Sequence, residues 1–161
     1  MSLSSLLPPA IDNQYRGRVI ALWIFGLLVL LKVTMSVNSI FNGRDVAQNA
    51  DGLPLSSYPP AAAQTIVALF AIFGLGHLVL CALCLLVLVR YRSLVPFMFG
   101  VLLVEQLSRK LILQVLPIVR TGTPPASVIN MIVLTLIVAG LGLSLWKRAD
   151  VRAADSPETI R

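Results

Sequence analysis

Seven polar side chains interrupt stretches that are otherwise almost wholly apolar: Lys32, His77, Glu105, Gln106, Arg109, Lys110 and Asn130. Their chemistry covers proton exchange (His77, Glu105), anion binding (Lys32, Arg109, Lys110) and neutral hydrogen bonding (Gln106, Asn130). Glu105 and Arg109 stand four apart, which on a helix places them on one face and predicts that they pair. Lys110 and Gln114 form a second polar edge of the same helix, with Gln106 between the two. The other side of that helix (Val104, Leu107, Leu111, Val115, Ile118) is apolar and suited to lipid. Lys32, Arg109 and Lys110 against the single Glu105 leave a surplus of two positive charges. Such a surplus suits a phosphate, a carboxylate or a polarised quinone oxygen.

Three readings of these residues stand side by side. In the first they are structural: Glu105 pairs with Arg109 and Lys32, His77 bonds a neighbour, and Arg109 and Lys110 snorkel outward along their aliphatic stems. In the second they form a binding site, open towards the outer leaflet, for an anionic lipid or a quinone-like amphipath. In the third Glu105 and His77 carry protons or ions through a small oligomeric transporter or channel.

The elements that must position them follow from composition. Charged residues make up 12% of the chain and hydrophobic ones 57%, against about 25% charged in soluble domains, so the class is membrane. A length of 161 residues suits one domain. Four apolar spans are predicted, at about 19–41, 61–89, 94–119 and 126–146, within a single domain over 15–148 flanked by cytoplasmic tails 1–14 and 149–161. Pro59-Pro60 and Pro124-Pro125 open the second and fourth, and Arg90-Tyr91-Arg92 and Lys147-Arg148 close the second and fourth. Pro96 falls in the first turn of the third span, where a missing N–H does no harm, and Pro117 kinks or ends it. The spans are continuously apolar rather than alternating, which argues against a β-barrel. The expected fold is an all-α four-helix transmembrane bundle of two helical hairpins.

Counting basic residues by loop orients it. With the N-terminus inside, eight Lys and Arg fall on the cytoplasmic side and two, Arg44 and Arg120, on the outer side. That bias predicts N-in/C-in topology in a bacterial inner membrane, and it accounts for the formal net charge of +6 without nucleic acid. No cleavable leader, glycosylation sequon or lipidation box is read in the chain. At about 1.5 Å rise per residue, Lys32, His77, Glu105 and Thr135 lie roughly 17–20 Å from the cytoplasmic ends of their spans. Arg109, Lys110 and Asn130 come about a turn further out. Stripes Phe25-Lys32-Ser36-Ser39 and Phe70-Gly74-His77-Cys81-Cys84 converge on the same interior. The outer connection 42–60, with its Asn-Gly and Asp-Gly turns, reads as a solvated loop capping the outer mouth of the bundle, with Tyr58 at the interface, and its Asp45, Asn49 and Asp51 lack the spacing of a calcium loop.

Cys81-Ala82-Leu83-Cys84 has the spacing of a redox dithiol. In size and in having both termini inside, the chain resembles the four-helix quinone-linked enzymes that form disulfide bonds. Those enzymes carry reactive thiols near the outer surface and a second cysteine pair. Here Cys81 and Cys84 fall in the inner half of the second span and the chain has no further cysteine, so they read as helix-packing residues rather than as a catalytic or zinc-binding pair. P-loop, nucleophile-elbow and zincin motifs are absent. The sequence thus leans away from an enzyme and implies no cofactor or metal. It points to a non-catalytic membrane protein that binds a lipid or amphipath, or docks onto other membrane subunits or itself.

Overall fold

The computed structural model describes residues 12–15, 17–122 and 124–146. The expected tail at 149–161, most of that at 1–14, and Arg16, Lys147 and Arg148 lie outside them. Of the described residues 83% are helical and none is in a strand. Four long helices organise them: α1 (Val19–Phe41), α2 (Pro60–Arg90), α3 (Val95–Val115) and α4 (Pro125–Leu145). Three of these, α1, α2 and α4, are long and apolar enough to cross a membrane. The remaining one, α3, is as long as α4 but carries Glu105, Arg109 and Lys110 within its central and last turns. Those charges, not its length, set it apart.

Helix ends fall where backbone chemistry dictates. Pro60 and Pro125 occupy the first helical positions of α2 and α4, each behind a proline in extended conformation; a fixed φ and a missing donor suit that place. Leu116 precedes Pro117 and adopts φ −119°, ψ 77°, because a proline ring disfavours helical backbone in the residue before it. The third helix therefore stops at Val115, a turn short of the span expected to reach about 119.

Helix α1 lies between α2 and α4; α3 packs on α4 and touches α2 and α1 only lightly. The main core fills the half of the bundle nearer the α2–α3 turn. Phe25 and Leu28 of α1 meet Phe99 and Leu102 of α3 and Val133 and Ile137 of α4 there. Phe25 and Phe99 stack edge to face with centroids 5.0 Å apart, the arrangement their ring quadrupoles favour. Two glycines permit these approaches. A Cβ on Gly74 would come within 2.9 Å of the Ser36 carbonyl, and one on Gly140 would enter the Phe99 ring.

The α1–α2 connection is more folded than its turn-rich sequence suggests. Gly43–Asp45 and Val46–Ala50 form helical turns, the second a π-turn, and Leu55–Ser57 a 3₁₀ turn. Ala47, Leu53 and Leu55 are buried against Ile66, Val67 and Phe70 of α2, so this segment is a packed cap rather than a solvated loop. Gly52 has φ +72°, a left-handed geometry that favours glycine. Its carbonyl accepts hydrogen bonds from the Thr121 N–H (2.8 Å) and hydroxyl (3.1 Å), stitching the cap to the α3–α4 connection. At the opposite end the Tyr15 hydroxyl donates to Ser144 Oγ at 2.9 Å and the Arg18 guanidinium lies 4.6 Å above the Trp146 ring.

The packing at Gly140 generates a test. Gly140→Leu should lower the unfolding midpoint in detergent by an amount corresponding to about 1–3 kcal/mol, the usual cost of overpacking. Gly142→Leu, where an added Cβ meets nothing within 4 Å, should leave the midpoint nearly unchanged. Equal midpoints for the two variants would contradict the close contact with Phe99.

Candidate functional site

Two polar networks occupy the interior. In the first, Lys32 of α1 bridges to Glu105 of α3, Nζ to Oε2 2.9 Å. The other carboxylate oxygen, Oε1, lies 3.3 Å from His77 Nε2 of α2. Lys32 Nζ also stands 3.2 Å from that same nitrogen. The Lys32 side chain is only 5% exposed, that of Glu105 22%.

A single imidazole nitrogen cannot accept from an ammonium and donate to a carboxylate at once. With Nε2 bare, Lys32 donates to both His77 and Glu105. With Nε2 protonated, the imidazole donates to Oε1 and Lys32 holds Glu105 alone. The triad thus has two hydrogen-bonding arrangements, set by whether Nε2 or Nδ1 of the imidazole carries the ring proton. In both, the buried ammonium keeps its counter-charge.

The second network joins α3 to α4. Arg109 Nη2 donates to Gln106 Oε1 and to Asn130 Oδ1, each at 2.8 Å. The Gln106 amide reaches the Asn130 carbonyl at 3.4 Å. Because Lys32 and His77 take both oxygens of Glu105, the expected Glu105–Arg109 pair does not form. Arg109 turns instead towards the amide oxygens on its α4 side.

The sequence-predicted residues are therefore brought together in part. Lys32, His77 and Glu105 share one network, and Gln106, Arg109 and Asn130 share the other. Lys110 is exposed and joins neither. Thr135, expected at the level of Lys32, is exposed and bonds the Met131 carbonyl of its own helix; α4 contributes Asn130 instead. Gly74, Cys81 and Cys84 are buried on one stripe of α2, and Phe25, Lys32 and Ser36 on one stripe of α1. Val104, Leu107, Leu111, Val115 and Ile118 of the α3 side read as lipid-facing are all exposed.

One residue of the site escaped sequence reasoning. Asp51, in the cap, faces Arg120 and Arg109; burial pushes its carboxyl above the ordinary range, with Arg120 and then Arg109 opposing that shift. Its only sequence signal was that the two connections at this end carry opposite charges, Asp51 on one and Arg120 on the other.

Three spaces surround these networks. A central chamber of about 170 Å³ is walled by all four helices and the cap, with Lys32, His77, Arg109, Asp51, Phe70 and Asn130 among its lining. A cleft of about 380 Å³ between α3 and α4 is lined by Arg109, Lys110, Gln114, Arg120, Ser127 and Asn130 over apolar walls. A slot of about 270 Å³ runs between α2 and α3, past Leu69, Phe73, Leu113 and Ile118. Among the described residues no three His, Cys, Asp or Glu side chains come together as a metal site. No known protein family, characterised protein or solved structure matches the chain.

Two outcomes follow. Glu105→Gln strands the buried Lys32 ammonium, which should cost roughly 3–5 kcal/mol, the usual penalty for breaking a buried pair. Lys32→Met combined with Glu105→Leu should recover most of that loss in a denaturation titration; no recovery would mean that the pair is not what couples α1 to α3. For Asp51 the sign is set by burial. Its folded pKa lies above the unfolded value, so the folded state gains stability as pH falls from neutral towards that range and loses it as pH rises through the raised value. The change in melting temperature between neutral pH and the ordinary carboxylate range at about pH 4 should shrink in Asp51→Asn, and an unchanged difference would remove Asp51 as its source.

Proposed function

We propose that the chain is a non-catalytic, four-span protein of the bacterial inner-membrane type, with both termini inside, that holds an anionic lipid headgroup in the cleft between α3 and α4. The observation carrying this reading is electrostatic. Arg109, Lys110 and Arg120 line the cleft and no carboxylate does. None of the three makes a salt bridge among the described residues, and Asp51 of the cap, which faces Arg120 and Arg109, offsets only one of the three charges.

Depth supports the same assignment. Lys110 lies five residues from the end of α3, about 7.5 Å along the axis, and Arg120 lies beyond it in the connection. Exposed cations at this height in a bilayer need counter-charge, and lipid phosphate supplies it. Gln114 and Ser127 add neutral hydrogen-bonding groups, while Leu113, Ile118, Met131 and Leu134 offer acyl chains an apolar bed. Taking α3 as a span with its polar half turned inward leaves its exposed apolar side to lipid or to a neighbouring subunit. Of the described basic residues outside the helix interiors, Arg18, Arg90 and Arg92 lie at the α2–α3 end and only Arg44 and Arg120 at the other, which favours the α2–α3 end as cytoplasmic.

Native mass spectrometry of protein released from mixed bilayers tests the reading. Wild type should retain phosphatidylglycerol in preference to phosphatidylcholine. Lys110→Gln with Arg120→Gln should weaken that retention roughly 30-fold, at about 1 kcal/mol per basic residue. Equal retention of the two lipids, or retention untouched by the double substitution, would remove the proposal.

A further inference from the structure

The central chamber differs from the cleft in its electrical balance. Its lining carries Lys32, Arg109 and Asp51 as charged groups. Glu105 stands 2.9 Å behind Lys32 and cancels it, and Asp51 shares the lining with Arg109. With His77 neutral the formal sum is zero. An anion entering here would sit beside Asp51, and a cation beside Lys32 and Arg109. An uncharged ligand meets neither penalty.

Its donors, by contrast, are in excess. The Lys32 ammonium has three N–H groups, of which Glu105 and His77 engage two at most. Arg109 spends Nη2 on Gln106 and Asn130, leaving Nε and Nη1 without a bond among the described residues. The rest of the lining mixes the polar Asn38 and Ser39 with the apolar Met35, Phe70, Phe73 and Val133. Spare donors with apolar walls call for a flat, apolar ligand bearing oxygen acceptors. The volume of about 170 Å³ is close to the roughly 150 Å³ cavity that accommodates a benzene ring in an engineered protein.

A way in exists on one side. The slot between α2 and α3 shares Asp51, Phe70, Phe73, Arg109 and Asn130 with the chamber. Leu69, Phe73 and Ile118 along it are exposed, and α2 and α3 touch only lightly. A ligand with a ring in the chamber could lay an apolar tail through this slot into lipid.

We infer that the chamber is a second binding site, for a quinone-type headgroup: an uncharged ring with carbonyl acceptors, its apolar tail leaving between α2 and α3. This site binds independently of the lipid cleft, although Arg109 and Asn130 wall both.

Equilibrium binding of decyl-benzoquinone to the full chain in pure phosphatidylcholine nanodiscs tests it, with empty nanodiscs subtracted and no anionic lipid present. Saturable binding of one quinone per chain is expected. Lys32→Gln with Glu105→Gln removes the cation while keeping the network neutral, and should weaken binding about tenfold. Phe73→Ala, at a wall position outside the buried core, should weaken it as well and serves if the double variant does not fold. Lys110→Gln should leave it unchanged while still lowering phosphatidylglycerol retention, which separates this site from the cleft. Partitioning indistinguishable from empty nanodiscs would overturn the assignment. So would full affinity in Phe73→Ala, or displacement of the quinone by phosphatidylglycerol.

Discussion

An ammonium group with 5% of its side chain exposed must keep a counter-charge, and much of the bundle is arranged so that Lys32 does. Moving an isolated charge into an apolar interior costs several kcal/mol even after relaxation. Helix α1 carries the lysine, α3 the carboxylate and α2 the histidine, so meeting this electrostatic need fixes three helices against one another. Direct packing between α1 and α3 is slight. Beside the Phe25–Phe99 ring contact, the ion pair is what ties these two helices together. It also explains why α3 can hold three charges and still lie in an apolar bundle: one is neutralised from α1, one is clasped by amides of its own helix and α4, and one stays at the rim.

The non-polar half of the molecule answers a different constraint. Chains that cross lipid gain little from burying leucine against leucine, because lipid is as apolar as the neighbour. Close approach has to come from shape. Gly74 lets α2 come down on the Ser36 carbonyl, and Gly140 leaves room for Phe99, which in turn meets Phe25 edge to face. Cys81 and Cys84 continue the Gly74 stripe as small, buried residues against α1.

How much of this was legible in the sequence depended on whether a feature is set along one helix or between segments. Helix ends were readable because prolines act locally: Pro60 and Pro125 mark first turns whatever surrounds them, and only the reach of Pro117 back to Leu116 was underestimated. Facial stripes were readable for the same reason, since angle along a helix is arithmetic. Partner choice was not. Glu105 and Arg109 share a face and could pair in an isolated helix, yet Lys32 and His77 arrive from other helices and claim the carboxylate first. Thr135 has the right depth but the wrong face, and an angle on α4 cannot be oriented without knowing its neighbours. Asp51 was hidden most completely. Its role depends on how the cap is seated, which is set by a glycine carbonyl and Thr121, 69 positions apart in sequence.

Arg109 gives the two interior spaces their contrasting characters. It stands in the wall between the chamber and the α3–α4 cleft, and the amides of Gln106 and Asn130 hold it there through Nη2. On the chamber side Asp51 offsets it, so the space is balanced and rich in donors. On the cleft side its neighbours are Lys110 and Arg120, so the space is cationic. One fixed guanidinium thus presents a neutral hydrogen-bonding surface inwards and part of a positive surface outwards. Any change that moves its counter-ion, above all a change in the protonation of Asp51 or in the seating of the cap, alters the potential of both spaces at once.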